Sequence, residues 1–300
     1  MGPLFQRLRG ATGTPAGIAF MLFGMMIFTA NDTLGKYLLR DYPVGQMLMI
    51  RSVAGLMMLG PSIWRAGWRS IVQVKRPGLQ LLRLVFIVMD VGFFFWAVRY
   101  MPLATALAIF MAGPLLITAL SAPLLGERVG PRRWAAVIVG FCGVVLILRP
   151  DTGNISWPHV VILLGCFGYA MMNLLTRKLR DTPQVTLITW HTVAILLAGG
   201  ATVPFAWVTP SVLDFVLLGS LGVVATVGHM CVNKSLQLAP AAVVTPFQYT
   251  MVVWACLFGF LFLGEVPDVS TLLGAAVVVA SGLYILHREQ VNEREAAAKD

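Results

Sequence analysis

Ten long apolar stretches constrain the fold of this chain more than any other feature. Each holds about 18–23 residues, and about 20 residues of α-helix cross the hydrocarbon layer of a bilayer. Hydrophobic residues make up 58% of the chain and charged residues only 12%. The sequence therefore predicts an all-α polytopic membrane protein. The ten predicted transmembrane helices lie at residues 15–36, 43–64, 80–100, 103–124, 131–148, 157–177, 184–206, 212–233, 241–263 and 269–286.

Several classes of function find no support in the residues. The four cysteines stand singly within apolar stretches, which implies neither a disulfide nor a metal site. The sequence contains no Walker motif for ATP and no H-E-x-x-H metal motif. Rings of like charge, which are typical of channels, are missing as well. The net charge of +9 is spread between the apolar stretches, which favours a lipid bilayer over nucleic acid as the partner. We expect no catalytic residues, no cofactor and no metal.

The basic residues predict the orientation of the chain in the membrane. If the N-terminus is cytoplasmic, the cytoplasmic loops and termini hold seventeen Lys and Arg residues, and the loops on the other side hold four. Short cytoplasmic loops of membrane proteins carry an excess of these residues. Because the number of spans is even, we expect both termini to be cytoplasmic.

The two halves of the chain repeat each other. The pentapeptide LRDYP at 39–43 returns as LRDTP at 179–183, between two apolar stretches in both cases. Later in each half, LLGE at 124–127 matches FLGE at 262–265 at nearly the same offset. A unit of five spans is therefore present twice. Since five is an odd number, the second copy must enter the membrane in the inverted orientation.

Inverted repeats are a common architecture of secondary transporters, in which two similar packings open a central site to either side of the membrane. The duplication therefore predicts a carrier that works by alternating access on a small-molecule substrate. An intramembrane enzyme and a channel are the less favoured alternatives. We expect such a carrier to function as a monomer.

The repeated unit resembles a known family. Two five-helix units that each carry P-x-A, then LLGE or FLGE, and then a glycine-bearing last helix are similar to the EamA-type branch of the drug/metabolite transporter superfamily. The resemblance implies a first repeat at 15–149, a second, inverted repeat at 155–287 and a cytoplasmic tail at 288–300. It also implies a multi-pass protein of the bacterial inner membrane.

The resemblance implies a substrate class as well. Many members of the family export amino acids and related metabolites, and the architecture and aromatic content of this chain resemble most the aromatic amino-acid exporters. Uptake of a vitamin or of a nucleotide-like metabolite stays open as the alternative. The second copy departs from the first, because it reads NKSLQLAP where the first reads FWAVRYMP.

Polar and aromatic side chains near the middle of the spans are the candidate substrate-binding residues, because polar groups at bilayer depth are costly unless they face the bundle interior. The resemblance implies that spans 1, 3, 4, 6, 8 and 9 line the central cavity. Asp90 is also a candidate proton-binding group, since no basic partner is evident at its depth. The full set is Asn31, Asp90, Phe94, Tyr169, Asn173, His229 and Gln248.

Other features indicate structural roles. Arg51 and Asp32 both fall in the outer half of the membrane and are expected to form an ion pair. The Gly-Glu pairs at 126–127 and 264–265 are expected to end helices and to cap the next ones. Prolines inside spans 4 and 9 interrupt the helical hydrogen-bond ladder and predict kinks.

The inverted topology can be tested by thiol labelling from outside intact cells. Single cysteines at Asp41 and Asp181, in a background without the native cysteines, should differ: the first reacts with an impermeant maleimide and the second does not. Labelling of the second after the membrane is permeabilised provides the control. Equal labelling of both positions from outside would contradict the inverted repeat.

Overall fold

The computed structural model describes residues 3–126, 129–149 and 156–297. Ten of its helices are long and apolar enough to cross a membrane, and the described residues contain no strand. A short helix, Trp68–Val72, precedes the third span, and a helical turn, Ala241–Val244, precedes the ninth. The ten long helices are α1 (Pro3–Leu38), α2 (Val44–Ala66), α3 (Pro77–Val98), α4 (Leu103–Leu125), α5 (Pro131–Leu148), α6 (Trp157–Lys178), α7 (Gln184–Phe205), α8 (Val212–Leu238), α9 (Thr245–Leu263) and α10 (Val269–Ala297).

The prediction of ten membrane-length helices is confirmed. Three helices run well past the predicted spans: α1 begins at Pro3 instead of residue 15, α8 continues to Leu238 instead of ending at 233, and α10 continues to Ala297. In α8 the polar pair Asn233 and Lys234 is exposed at the end of the span. Polar residues end an apolar stretch without ending a helix, because exposed helical backbone remains hydrogen-bonded within itself.

The α-helical pattern is interrupted in both spans in which kinks were predicted. The helix of α4 is interrupted at Met111 and Ala112, directly before Gly113 and Pro114. In α9 the segment Thr245–Tyr249, which contains a proline, is a 3₁₀-helix, and the last five residues form a π-helix. Proline lacks the N–H that an α-helix needs at that position, so both spans depart from regular helix where the sequence places it.

Glycine residues end α4 and α9 as expected. Gly126 and Gly264 adopt left-handed backbone conformations with φ of 71° and 69°, which favour glycine. Glu127 lies outside the described residues. Glu265 was expected to cap the next helix, α10, but it caps α4 instead. Its Oε2 accepts a hydrogen bond of 2.8 Å from the backbone N–H of Leu103, at the start of α4.

The helix pairs reveal the internal symmetry. The most extensive contacts join α1 to α8 and α3 to α6, and each of these pairs becomes the other when the repeats are exchanged. The pairs α2–α8 and α7–α3 are related in the same way, and so are α1–α9 and α6–α4. In the pairs α2–α7 and α5–α10, each helix contacts its own equivalent from the other repeat. The two inverted five-helix repeats are thus interleaved around a pseudo-two-fold axis.

Hydrogen bonds at the helix ends repeat this symmetry. Gln46, at the start of α2, donates to the carbonyl of Val208 at 2.6 Å and accepts from its N–H at 3.0 Å, in the α7–α8 linker. The equivalent Thr186, at the start of α7, donates to the carbonyl of Ser70 at 3.0 Å, in the α2–α3 linker. Each repeat therefore holds a linker of the other repeat.

Glycines allow the closest approach between repeats. A Cβ added at Gly199 in α7 would lie 2.6 Å from the carbonyl oxygen of Gly45 and 2.9 Å from the N of Met49, both in α2. A Cβ at Gly222 in α8 would lie 2.0 Å from the carbonyl oxygen of Arg51. Small residues at helix crossings of this kind let two backbones touch in lipid.

The crossing of α2 and α7 offers a matched test. Gly199→Ala should destabilise the protein by about 1–3 kcal/mol, because the methyl group would meet backbone that cannot rotate away. Gly200→Ala places its methyl group 3.8 Å from the flexible Met49 side chain and should leave stability unchanged or slightly raised, since alanine favours helix. The midpoint of thermal unfolding in detergent measures both. A Gly199→Ala variant as stable as the wild type would show that this crossing is not close-packed.

Candidate functional site

A row of aromatic rings crosses the interior between the two repeats. Phe95 and Phe94 of α3 have ring centroids 5.3 Å apart, and Phe94 lies 5.2 Å from Phe110 of α4. Phe110 in turn lies 5.3 Å from Tyr169 of α6. All three contacts are edge-on or tilted, and aromatic pairs prefer such arrangements to a face-to-face sandwich. The row joins helices of both repeats, with Phe94 and Phe95 buried and Phe110 and Tyr169 partly buried.

Asp90 lies one helical turn before Phe94, in the closest part of the α3–α6 pair. A Cβ on Gly168 would lie 2.9 Å from the backbone N of Asp90, so the two helices touch at this level. The carboxyl is buried, and its neighbours are Cys166 and Tyr169. No basic side chain in the described part of the chain pairs with it. Such a carboxyl is suited to bind and release a proton.

The two candidate asparagines differ in what their side chains bind. Asn173 donates from Nδ2 to the carbonyl of Tyr169 at 2.8 Å, within α6. Asn31 is only 2% exposed, and its Oδ1 has no hydrogen-bond partner. A buried amide oxygen without a partner carries a desolvation cost. Asn31 therefore offers an unused acceptor in α1.

His229 and Gln248 lie apart from the aromatic row. The imidazole of His229 packs edge-on against Phe28 with ring centroids 4.8 Å apart. It is exposed, although it lies near the middle of the bundle and on the α8 face that meets α2 at Gly222. Gln248 is half-buried in the 3₁₀ segment of α9, and no ring contact or hydrogen bond links it to the other candidates in the described chain.

Three of the seven predicted residues, Asp90, Phe94 and Tyr169, belong to one cluster in which Phe110 joins the two rings. Asn173 adjoins this cluster through its hydrogen bond to the backbone of Tyr169. Asn31 and His229 lie on the α1–α8 pair, which the pseudo-two-fold axis relates to the α3–α6 pair that carries most of the cluster. Gln248 is separate. That these side chains contact a substrate stays a prediction.

Two further residues lie in the interior: Arg51, which was expected to have a structural role, and His191, which was not among the candidates. Arg51 forms no direct ion pair with Asp32, although the two interact electrostatically. Its guanidinium instead lies over the ring of Phe95, 5.0 Å from the centroid. His191 interacts with Arg51 from α7. The repeat offset that pairs Arg51 with His191 was the available signal, because inverted equivalents near the axis must face each other.

A charged contact closes the end of the bundle that the charge distribution assigns to the outside. Lys36, in the last turn of α1, forms an ion pair with Glu265, which also accepts from the N–H of Leu103. The Lys36 ammonium donates to the carbonyl of Met101 as well. This contact, here called the outer clasp, ties α1 to the start of α4 and to the α9–α10 linker. It borders a cavity of about 510 Å³.

The opposite end has a different polar contact. Arg83 of α3 is buried and donates to Oγ1 of Thr176 at 2.7 Å and to the carbonyl of Leu187 at 3.3 Å. It therefore joins α3, α6 and α7. Thr176 is the repeat equivalent of Lys36, so the two ends of the bundle are closed by different chemistry despite the shared backbone symmetry.

Comparison with known proteins identifies the family. The profile of the EamA-like transporter family matches residues 15–149 and 156–286, once for each repeat. The chain belongs to the EamA-like transporter family. Its membership accounts for the duplication and the ten helices, and it makes the chain a transporter of the drug/metabolite transporter superfamily. Ten apolar helices and bacterial relatives of this family place it in the bacterial inner membrane as a multi-pass protein.

Relatives of this EamA-like protein include carriers of different solutes. The S-adenosylmethionine uptake transporter of Rickettsia felis is 24% identical over 91% of this chain and 93% of its own. The riboflavin transporter of Vibrio cholerae is 26% identical over 93% and 95%. The pseudopaline exporter of Pseudomonas aeruginosa is 25% identical over 89% and 94%. A solved crystal structure with 16% identity covers 91% of this chain and 96% of its own with a TM-score of 0.63, which supports the fold.

The outer clasp should contribute to the stability of this EamA-like protein. Glu265→Gln leaves the Lys36 ammonium without its counter-charge and should destabilise the fold by roughly 2–4 kcal/mol, because removing one member of a largely buried pair is costly. Asp268→Asn, in the same linker but exposed, should have little effect. Adding Lys36→Met to Glu265→Gln should restore part of the loss. Thermal unfolding measures all three, and equal midpoints for Glu265→Gln and Asp268→Asn would contradict a stabilising clasp.

Proposed function

We propose that this transporter is a secondary carrier that moves a small metabolite with a flat ring system across the inner membrane by alternating access. The aromatic row from Phe95 to Tyr169 carries the proposal. Aromatic rings bind flat ligands by stacking or edge contacts, each worth about 0.5–1.5 kcal/mol beyond burial of apolar area. Ligand sites usually combine such apolar walls with a few polar groups, which Asp90 and Asn173 supply here.

Two solute classes fit this site. Export of aromatic amino acids is the hypothesis that the family resemblance favoured. Uptake of a vitamin or nucleotide-like metabolite is supported by two relatives whose names include riboflavin and S-adenosylmethionine, both of which contain a fused heteroaromatic ring. The two classes share the ring that the aromatic row would hold, and they differ in the direction of transport.

Alternating access follows from the interleaved repeats. Every main helix pair joins one repeat to the other. A tilt of one group of helices relative to the other would therefore open one end of the bundle and close the opposite end. The outer clasp and the Arg83 contact are the groups that would separate in turn. Asp90, buried next to the row, would couple this exchange to proton movement.

Flux into and out of proteoliposomes tests the proposal. The purified protein should move at least one ring-bearing solute from a panel of riboflavin, S-adenosylmethionine, tryptophan and phenylalanine faster than protein-free vesicles do. Alanine and serine, which lack a ring, should move at the background rate. Phe94→Ala should reduce the flux of the accepted solute about tenfold, because it removes the centre of the row. Transport of alanine or serine alone would reject an aromatic substrate.

The same assay tests the role of Asp90. An imposed pH gradient should accelerate flux through the wild type but not through Asp90→Asn, which cannot exchange a proton. Asp41→Asn, at an exposed loop position, serves as the matched control and should keep the wild-type response. Both variants should elute as the same monodisperse species as the wild type. Identical flux of Asp90→Asn and wild type at every pH would remove Asp90 from the mechanism.

A further inference from the structure

We propose that Arg51 is the anion-binding residue of this carrier and holds a carboxylate or phosphate group of the transported solute. This inference rests on the proposed function, because it assigns one end of a solute whose ring lies along the aromatic row. It departs from the structural ion pair with Asp32 that the sequence suggested.

The guanidinium of Arg51 has unused hydrogen-bonding capacity. Its Nη1 is buried and has no hydrogen-bond partner in the described structure. The guanidinium carbon lies over the ring of Phe95, 5.0 Å from its centroid. An aromatic ring offers no nitrogen or oxygen acceptor, so this contact does not satisfy the N–H donors of the guanidinium, whose planar fork matches the two oxygens of a carboxylate or phosphate. At least one donor nitrogen of Arg51, Nη1, is therefore available to an anion.

The charge of Arg51 is also only partly compensated. Asp32 interacts with it electrostatically from α1 but makes no direct ion pair. A buried charge without a hydrogen-bonded partner is costly, and a protein retains such a cost where a ligand removes it. The residue is half-buried, and its neighbours come from helices of both repeats: Phe95 of α3 lies against it, and it interacts with the histidines of α7 and α8.

The inverted repeat places a second nitrogen donor opposite Arg51. Arg51 is the eighth residue of α2 and His191 the eighth residue of α7. Since these helices form a pair that crosses the pseudo-two-fold axis, the two side chains lie at equal depths measured from opposite faces. Arg51 also interacts with His229 of α8. An anion that leaves Arg51 towards the opposite face would therefore meet imidazole N–H groups next.

The position of Arg51 relative to the aromatic row defines the solute. The guanidinium of Arg51 contacts the ring of Phe95, and that ring in turn contacts the ring of Phe94. An anion at Arg51 and a ring beside Phe94 are therefore separated by a few bonds of the solute. An aromatic amino acid and a heteroaromatic phosphate ester both have this form. Pairs of compounds that differ only in the carboxylate, or only in the phosphate, can show which of these two groups is bound.

Binding to the purified full-length protein in detergent tests the inference. The probes are tryptophan with its neutral-carboxyl analogue tryptophanamide, and riboflavin phosphate with riboflavin. Equilibrium dialysis should show that, in at least one pair, the member with the carboxylate or phosphate binds the wild type about tenfold or more tightly than its partner, as expected for a charge-assisted hydrogen bond. The pair that shows this preference identifies carboxylate or phosphate.

Variants of Arg51 assign the preference to this residue. Arg51→Gln should abolish the preference and leave binding of the partner without the carboxylate or phosphate within about twofold. Arg51→Lys keeps the charge but loses the planar fork, so it should retain part of the preference. Arg65→Gln, at an exposed position near the end of α2, is the control and should behave as the wild type. Arg51→Lys also serves where Arg51→Gln fails to fold.

The possible results separate the inference from the proposed function. Equal binding of both members of each pair, or a preference for the member without the carboxylate or phosphate, overturns the role of Arg51 while the ring-binding carrier stands. A preference that survives in Arg51→Gln, or in Arg51→Lys at its full wild-type size, assigns the anion to another residue and also overturns it. If the wild type binds none of the four probes and moves none of the ring-bearing panel solutes, both proposals fall together.

Discussion

Helices in a bilayer gain nothing by moving apolar surface from lipid to protein, and the packing of this carrier reflects that constraint. Association must come from close contact between backbones and from polar groups that find partners inside. Glycines supply the close contact where α7 meets α2 and where α8 meets α2. Both crossings join one repeat to the other. The internal symmetry is therefore a property of the contacts that hold the molecule together, as well as of its ancestry.

Polar groups occupy the space that these crossings leave. The α3–α6 pair brings Asp90 beside Tyr169, and the α2–α7 and α2–α8 pairs bring Arg51 near His191 and His229. Charged groups at this depth are expensive in lipid and are usually functional. Their distribution divides the interior into an acidic and aromatic side on α3 and α6 and a basic side on α2. A solute with a ring and an anionic group would match both sides at once.

Length and composition sufficed to predict the spans, because crossing a bilayer imposes a length and leaves little choice of composition. The duplication and its inversion followed from the pentapeptides at 39–43 and 179–183. The site was harder. Their depth in the spans identified Phe94 and Tyr169 as candidates, but depth could not show that Phe110 lies between them, since Phe110 directly precedes the interruption of α4. Gln248 was selected as a residue of a regular helix, whereas the α9 backbone is a 3₁₀-helix there. An ion pair between Arg51 and Asp32 was predicted because the sequence indicates how deep a residue lies in the membrane, but not which neighbours its side chain faces across the bundle.

The interleaving of the repeats has a consequence for synthesis. A chain emerges from the ribosome with α1 to α5 first, yet the principal partner of α1 is α8 and that of α3 is α6. The first five helices must therefore remain in the membrane without their final neighbours until the rest of the chain is inserted. During that interval the Asp90 carboxyl and the Arg51 guanidinium lack the second repeat that encloses them. Insertion factors or lipid head groups that shelter such half-assembled intermediates would determine how much protein a cell obtains.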